Sequence, residues 1–383
     1  MLAIKNGRFI VPDEQGNFVF REDGVLLCAG EKIKGFVTEQ EIPPEAEIVD
    51  AKGNYVAPGF INVHIHGCAG ADTMDGSQEA LAKMAKLQAQ TGVTAFLPTT
   101  MTCKWSEVET ALGVIQEAMK SQPAGAQVLG AHMEGPFISP AKKGAQAEEN
   151  IRQADYHLVE PWQSVVKIIT LAPEELVDYT FVEKCQQAGI VVSIGHTAAD
   201  YDTAVEAVEK HGIQHFTHVY NAMTGFSHRA PGVVGAAFDT EANCEIIADN
   251  VHSHPMAQRL LYHAKEGKHI VLITDSLRAC GLGDGPSELG GQAVFVKGEL
   301  ATLQDGTIAG SVATMNRCVK IFWENTGADL PQIIEMVTRT PAEELACYAE
   351  RGSLTTGKRA DVVIFDEDVN LQQVIIGGKR HFN

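Results

Sequence analysis

The sequence predicts an α/β fold: a (β/α)8 TIM-type barrel carrying a small discontinuous β-sandwich built from both chain ends. Three observations lead there. The middle of the chain alternates short apolar runs with amphipathic stretches, the pattern of parallel β/α units. There are eight such runs, and eight units close most simply into a barrel. The two ends share a different texture, short alternating segments separated by Gly and Asn turns. A doubly wound open sheet is the alternative, but no GxGxxG follows the first run to support it.

In chain order, residues 1–54 read as strands and turns (LAIKNGRFI, GNFVF, GVLLCAGEKIKGF, AEIVDAKGN), and the tail 352–383 (VVIFDED, LQQVIIGGKR) repeats them. These two stretches form the expected β domain, and 55–351 the barrel. Its strands are expected at YVAPGFINVHI (55–65), TAFLPTT (94–100), QVLGAHME (127–134) and VVKIITLAPE (165–174). Four more follow at IVVSIGH (190–196), HFTHVY (215–220), EIIADNV (245–251) and IVLITDS (270–276). Helical periodicity marks SQEALAKMAKLQAQTG (77–92) and YDTAVEAVEKHG (201–212).

A formal net charge of −19 argues against nonspecific binding to nucleic acid or to an anionic membrane surface. It leaves room for an anionic small molecule held by local donors. Eight scattered cysteines without a CxxC fit reduced thiols in the cytoplasm. No signal peptide is evident, and no apolar run reaches the ~18–20 residues of a membrane helix.

In a barrel of this type, reactive groups sit at the carboxyl ends of the strands. The first strand ends in His64 and His66, which share one face because residues i and i+2 do. The third ends in Glu134, the fifth in His196, the sixth in His218 and the eighth in Asp275. Four imidazoles and two carboxylates on one rim suit zinc or a similar first-row ion. Each residue also has a plainer reading. His132 and His215 read as hydrogen-bonded core histidines, Asp275 could cap a helix, and a buried Glu134 needs a cation or an arginine. His254 reads as a loop residue.

Several longer motifs go further: GAHMEGPFISPAKKGAQ, SIGHTAADYDTA, FTHVYNAMTGFSHRAPGVVGAA, EIIADNVHSHP, LITDS and the tail GSLTTGKRADVVIFD. With APGFINVHIHG they make the chain resemble the amidohydrolase superfamily of metal-dependent hydrolases. Within it, the chain is similar to the N-acetylglucosamine-6-phosphate deacetylases over essentially its whole length. The resemblance implies Glu134, His196 and His218 as ligands of a principal metal. His64 and His66 would serve a second metal, with Glu134 bridging, so one or two divalent ions (zinc or iron) per subunit. It implies water attack on the acetamide carbonyl, with Asp275 accepting the water proton and passing it to the departing amine.

The same resemblance implies substrate contacts from Ala145, Gln146, Asn221, Ala222, Arg229, His252, Ile308, Ala309 and Gly310. Arg229 is the expected phosphate fork, reaching across a homodimer into the neighbouring subunit. Some relatives carry a histidine after KKG where this chain has Ala145-Gln146, and glutamine can still hydrogen-bond a sugar hydroxyl. The nearest rival is deacetylation of the galactosamine epimer. A cyclic amidase such as a dihydroorotase would want a modified lysine at the fourth strand, which ends instead in LAPE. A noncatalytic scaffold should have lost ligands, and none is lost.

Overall fold

The computed structural model describes residues 1–382, so Asn383, the last residue of the expected β domain, lies outside the described residues. Two sheets formed by the chain ends face each other. One contains Leu2–Lys5, Val25–Ala29, Lys32–Val37 and Glu47–Asp50. The other joins Arg8–Pro12, Phe18–Arg21 and Tyr55–Pro58 to the carboxyl-terminal strands Val362–Phe365, Leu371–Ile376 and Lys379–Phe382. Ile4, Leu26 and Ile33 from the first sheet pack with Phe9, Val56, Val362 and Ile375 from the second in one buried cluster. That burial explains how chain ends more than 300 residues apart form one unit.

The expected strand 55–65 is two strands. Tyr55–Pro58 pairs antiparallel with Val362–Phe365 in the terminal sheet, whereas Phe60–Ile65 pairs parallel with Val93–Thr100 in the barrel. Proline breaks the ladder because it has no N–H. At the junction, a Cβ on Gly59 would lie 2.2 Å from the Thr94 side chain, so only glycine lets the chain pass from one sheet to the other.

The remaining barrel strands are Gln127–Val128 with Ala131–Glu134, Val166–Leu171, Val191–Ile194, His215–Phe216, Asn243–Ile247 and Ile270–Ile273. All their pairings are parallel. Main-chain bonds close the ring at its carboxyl end. Asp275 donates to the His64 carbonyl at 3.0 Å, and His66 donates to the Ser276 carbonyl at 3.0 Å. Helices cover the outside. Gln78–Gln90, capped by Ser77 at the Ala80 N–H, buries Leu81, Met84 and Ala85 against the strands. A three-stranded antiparallel insertion over Gly285–Leu289, Gln292–Lys297 and Leu300–Leu303 rises beside the mouth and was not foreseen. Among the described residues no helix is long and apolar enough to cross a membrane.

Candidate active site

The first, third, fifth, sixth and eighth strands deliver His64 and His66, Glu134, His196, His218 and Asp275 to the mouth, and the local backbone aims several of them. His196, His218 and Asp275 all have positive φ (47°, 30° and 47°). This left-handed region is costly for a residue with a Cβ and collects at functional sites. Here it turns the side chain inward just where the strand stops.

Three of the four imidazoles have their tautomer set by an acceptor behind them. His66 Nδ1 faces the Thr99 carbonyl at 3.3 Å, His196 Nδ1 faces the Lys142 carbonyl at 2.9 Å, and His64 Nδ1 faces Glu245 at 2.9 Å. A carbonyl or an ionised carboxylate can only accept, so Nδ1 carries the hydrogen and Nε2 is presented to the mouth. This arrangement is typical of metal-binding histidines.

The Nε2 atoms gather around two carboxylates. Glu134 Oε1 lies 3.1 Å from His196 Nε2 and 3.0 Å from His218 Nε2, and these two nitrogens are 3.2 Å apart. Asp275 Oδ1 lies 3.2 Å from His66 Nε2 and 3.4 Å from His64 Nε2. Glu134 Oε2 meets His66 Nε2 at 3.2 Å. Ligands 2.0–2.1 Å from a tetrahedral zinc sit roughly 3.3 Å from one another. The donor sets Glu134/His196/His218 and His64/His66/Asp275 therefore both fit a first-row divalent cation. His64 Nε2 and Asp275 Oδ1 are buried without a hydrogen-bond partner, as ligand atoms would be.

A third cluster, His64/His132/Glu245, has similar spacing but is a hydrogen-bond network. His132 Nδ1 donates to the Val63 carbonyl at 3.0 Å, and its Nε2 lies 2.7 Å from the Thr170 hydroxyl. Burial and the neighbouring His64 push the His132 pKa down to about 3, so it stays neutral.

Electrostatics match the geometry. Burial opposes every charge here, yet His196 and His64 hold Glu134 well below the usual carboxylate range. His64 and His66 lower Asp275 against the same burial. Against burial, the Glu134 carboxylate pushes His218 up to about 9, and Asp275 and Glu134 raise His66 well above the ordinary imidazole range. Protons and a divalent cation compete for these nitrogens, so cation uptake releases protons.

Above this floor lies a cavity of about 320 Å³ lined by His66, Glu134, His196, His218 and Asp275. Ala145, Gln146, Asn221, Ala222, His252, Ile308 and Gly310 line it too. His64 sits beneath the floor, and Ala309 is fully buried behind the wall. The Gln146 amide is engaged by protein at both ends, with the Thr102 N–H on Oε1 at 2.7 Å and Glu134 Oε2 on Nε2 at 2.6 Å. Arg229 lines a separate depression with Asp200, Tyr201 and Asp202. His254 caps the helix Pro255–Ala264, as a loop residue should.

Sequence reasoning missed Leu289 and Thr307 in the wall and Glu245 under the floor. The signal for Glu245 was an acidic residue inside the apolar run NCEIIA.

The amidohydrolase family model matches residues 55–381. An N-acetylglucosamine-6-phosphate deacetylase of Bacillus subtilis (strain 168) is 41% identical over 92% of this chain and 91% of its own length. An N-acetylgalactosamine-6-phosphate deacetylase of Escherichia coli O157:H7 is 36% identical over 88% of this chain and 90% of its own. The crystal structure of N-acetylglucosamine-6-phosphate deacetylase from Pasteurella multocida superposes with a TM-score of 0.93 at 30% identity, covering all of both chains.

Proposed function

We infer the function from one premise: this chain belongs to the amidohydrolase family. It hydrolyses the acetamide of N-acetyl-D-glucosamine 6-phosphate to D-glucosamine 6-phosphate and acetate. The observation that carries this reading is the shared Glu134, whose carboxylate contacts imidazoles of both clusters at the bottom of a cavity of sugar size beside Asp275. The names of relatives 41% and 30% identical supply the substrate.

Glu134, His196 and His218 hold the principal cation, and His64, His66, Asp275 and Glu134 offer a second position. Zinc and iron both suit these donors. When bound, such a cation lowers the pKa of water and polarises the acetamide oxygen. Asp275 takes the proton as the water oxygen bonds to the carbonyl carbon. It then gives that proton to the nitrogen as the C–N bond breaks. His252, its Nδ1 held by Asp249 at 2.7 Å, keeps Nε2 free for a sugar oxygen. The phosphate needs a strong cationic partner, and no lysine or arginine is found among the described residues lining the cavity. Arg229 is exposed in a turn apart from the cavity, and in a homodimer it would reach the neighbour's site and grip the phosphate. Eight unpaired cysteines suit the cytoplasm.

The deciding experiment is acetate release from the glucosamine and galactosamine substrates side by side, with metal analysis of the same preparation. Cation-bound protein that releases acetate from neither overturns the reading. A preference for galactosamine moves it to the epimer that the Escherichia coli relative's name carries.

A further inference from the structure

We propose that Gln146 is a positioning residue that holds Glu134 in its two-cation geometry, so that filling of the second cation position depends on this amide. The proposal rests on the two-cluster reading above. Glu134 Oε1 lies against His196 and His218 and, at 3.5 Å, His64 Nε2, whereas Oε2 faces His66 at 3.2 Å. A glutamate carboxylate turns easily about its last torsion, and a small rotation would take Oε2 away from His66. Something must stop it.

Gln146 is placed to do so. The Thr102 N–H can only donate, so the atom it meets at 2.7 Å is Oε1, which fixes the amide orientation. Nε2 is then the end 2.6 Å from Glu134 Oε2, a short charge-assisted bond. The second Nε2 hydrogen points to Met101 Sδ at 3.7 Å. With 3% of its surface exposed, Gln146 is almost wholly buried, and its amide bonds protein at both ends. It bonds the one Glu134 oxygen that faces His66 of the second cluster.

The backbone around it reinforces this role. The loop that carries Gln146 also supplies the Lys142 carbonyl that sets the His196 tautomer. Gln292, in the antiparallel insertion, donates to the Ala145 carbonyl next to Gln146. One loop therefore touches both cation clusters and the wall of the mouth.

The test is cobalt(II) titration of the full chain after chelator stripping, read by visible absorption and metal content. Wild type is expected to take up two equivalents. Gln146→Leu is expected to bind the first as wild type does and the second about 10- to 100-fold more weakly, the usual cost of losing a group behind a ligand. If Gln146→Leu fails to fold, Gln146→Asn keeps the amide but not its reach and is expected to show the same selective loss. An unchanged or tighter second equivalent, equal weakening of both, or a wild type that takes only one equivalent overturns the proposal. Acetate release by wild type is scored separately, so failure of the deacetylase reading is told apart.

Discussion

Glu245 accepts from His64 Nδ1 at 2.9 Å and, through the same oxygen, from the His218 main-chain N–H at 3.1 Å, so one buried acid braces a histidine of each candidate cation cluster. Its other oxygen faces His215 Nε2 at 3.1 Å. A carboxylate with no exposed surface is tolerated only when fully paired. Replacing it with leucine leaves His215 charged and unpaired on that side. Glu245→Leu should lower the unfolding free energy by roughly 3–5 kcal/mol, measured by urea denaturation. Glu245→Gln, whose amide oxygen can still accept from His64, should lose less. Wild-type stability in the leucine variant would show that the acid braces nothing.

His215 makes the stability of this network depend on pH. It lies between Glu245 and Glu344, and although burial opposes its charge, Glu344 and Glu245 push its pKa from 6.5 up to about 10. A raised pKa means that the folded state holds the proton more tightly than the unfolded chain does. The stabilisation is complete below about pH 6.5 and is lost as pH rises through about 10. Urea midpoints at pH 7, 8.5 and 9.5 should therefore fall more steeply for wild type than for His215→Gln. Parallel slopes would contradict the raised pKa.

Asp275 is ionised at neutral pH, being lowered by His64 and His66 against its burial, so it can accept a proton as the chemistry requires. Asp275→Asn keeps the shape and removes the acceptor. Turnover should fall by about 10²- to 10⁴-fold, with the cation at Glu134, His196 and His218 retained on metal analysis. Near-normal turnover would remove Asp275 from the proton path.

The rim residues were legible because a parallel barrel sends every strand's carboxyl end to one face. Once HIH, HMEG, GH, THVY and TDS are recognised as strand ends, His64, His66, Glu134, His196, His218 and Asp275 fall together without further information. What lay behind them was not legible. The partners of His64 and His215 are 181 and 129 residues away, in Glu245 and Glu344, and no local period encodes such a pairing. The place of Gln146 at the cavity wall was legible from the chain, but the bond from its amide to Glu134 was not. The strand at 55–65 was read as continuous because its apolar pattern runs through Pro58-Gly59 unbroken. The positive φ of His196, His218 and Asp275 leaves no mark in residues that are not glycine.

Arg229 offers the sharpest test of assembly. It lies in the turn after Phe226, which is 58% exposed, and in its own subunit it lines a depression apart from the cation cavity. If it grips substrate phosphate, it does so in a neighbour's site. Arg229→Ala should then lower kcat/KM by roughly 10- to 100-fold, the worth of a charge-assisted bond of about 1.5–3 kcal/mol. Mixing separates the two geometries. In a two-fold dimer of Arg229→Ala and Asp275→Asn subunits, one of the two sites combines a native Asp275 with a native Arg229 from across the interface. Random reassortment of equal amounts should restore about a quarter of wild-type activity. An arginine acting within its own subunit leaves both mixed sites defective, and activity would stay at the sum of the two parents.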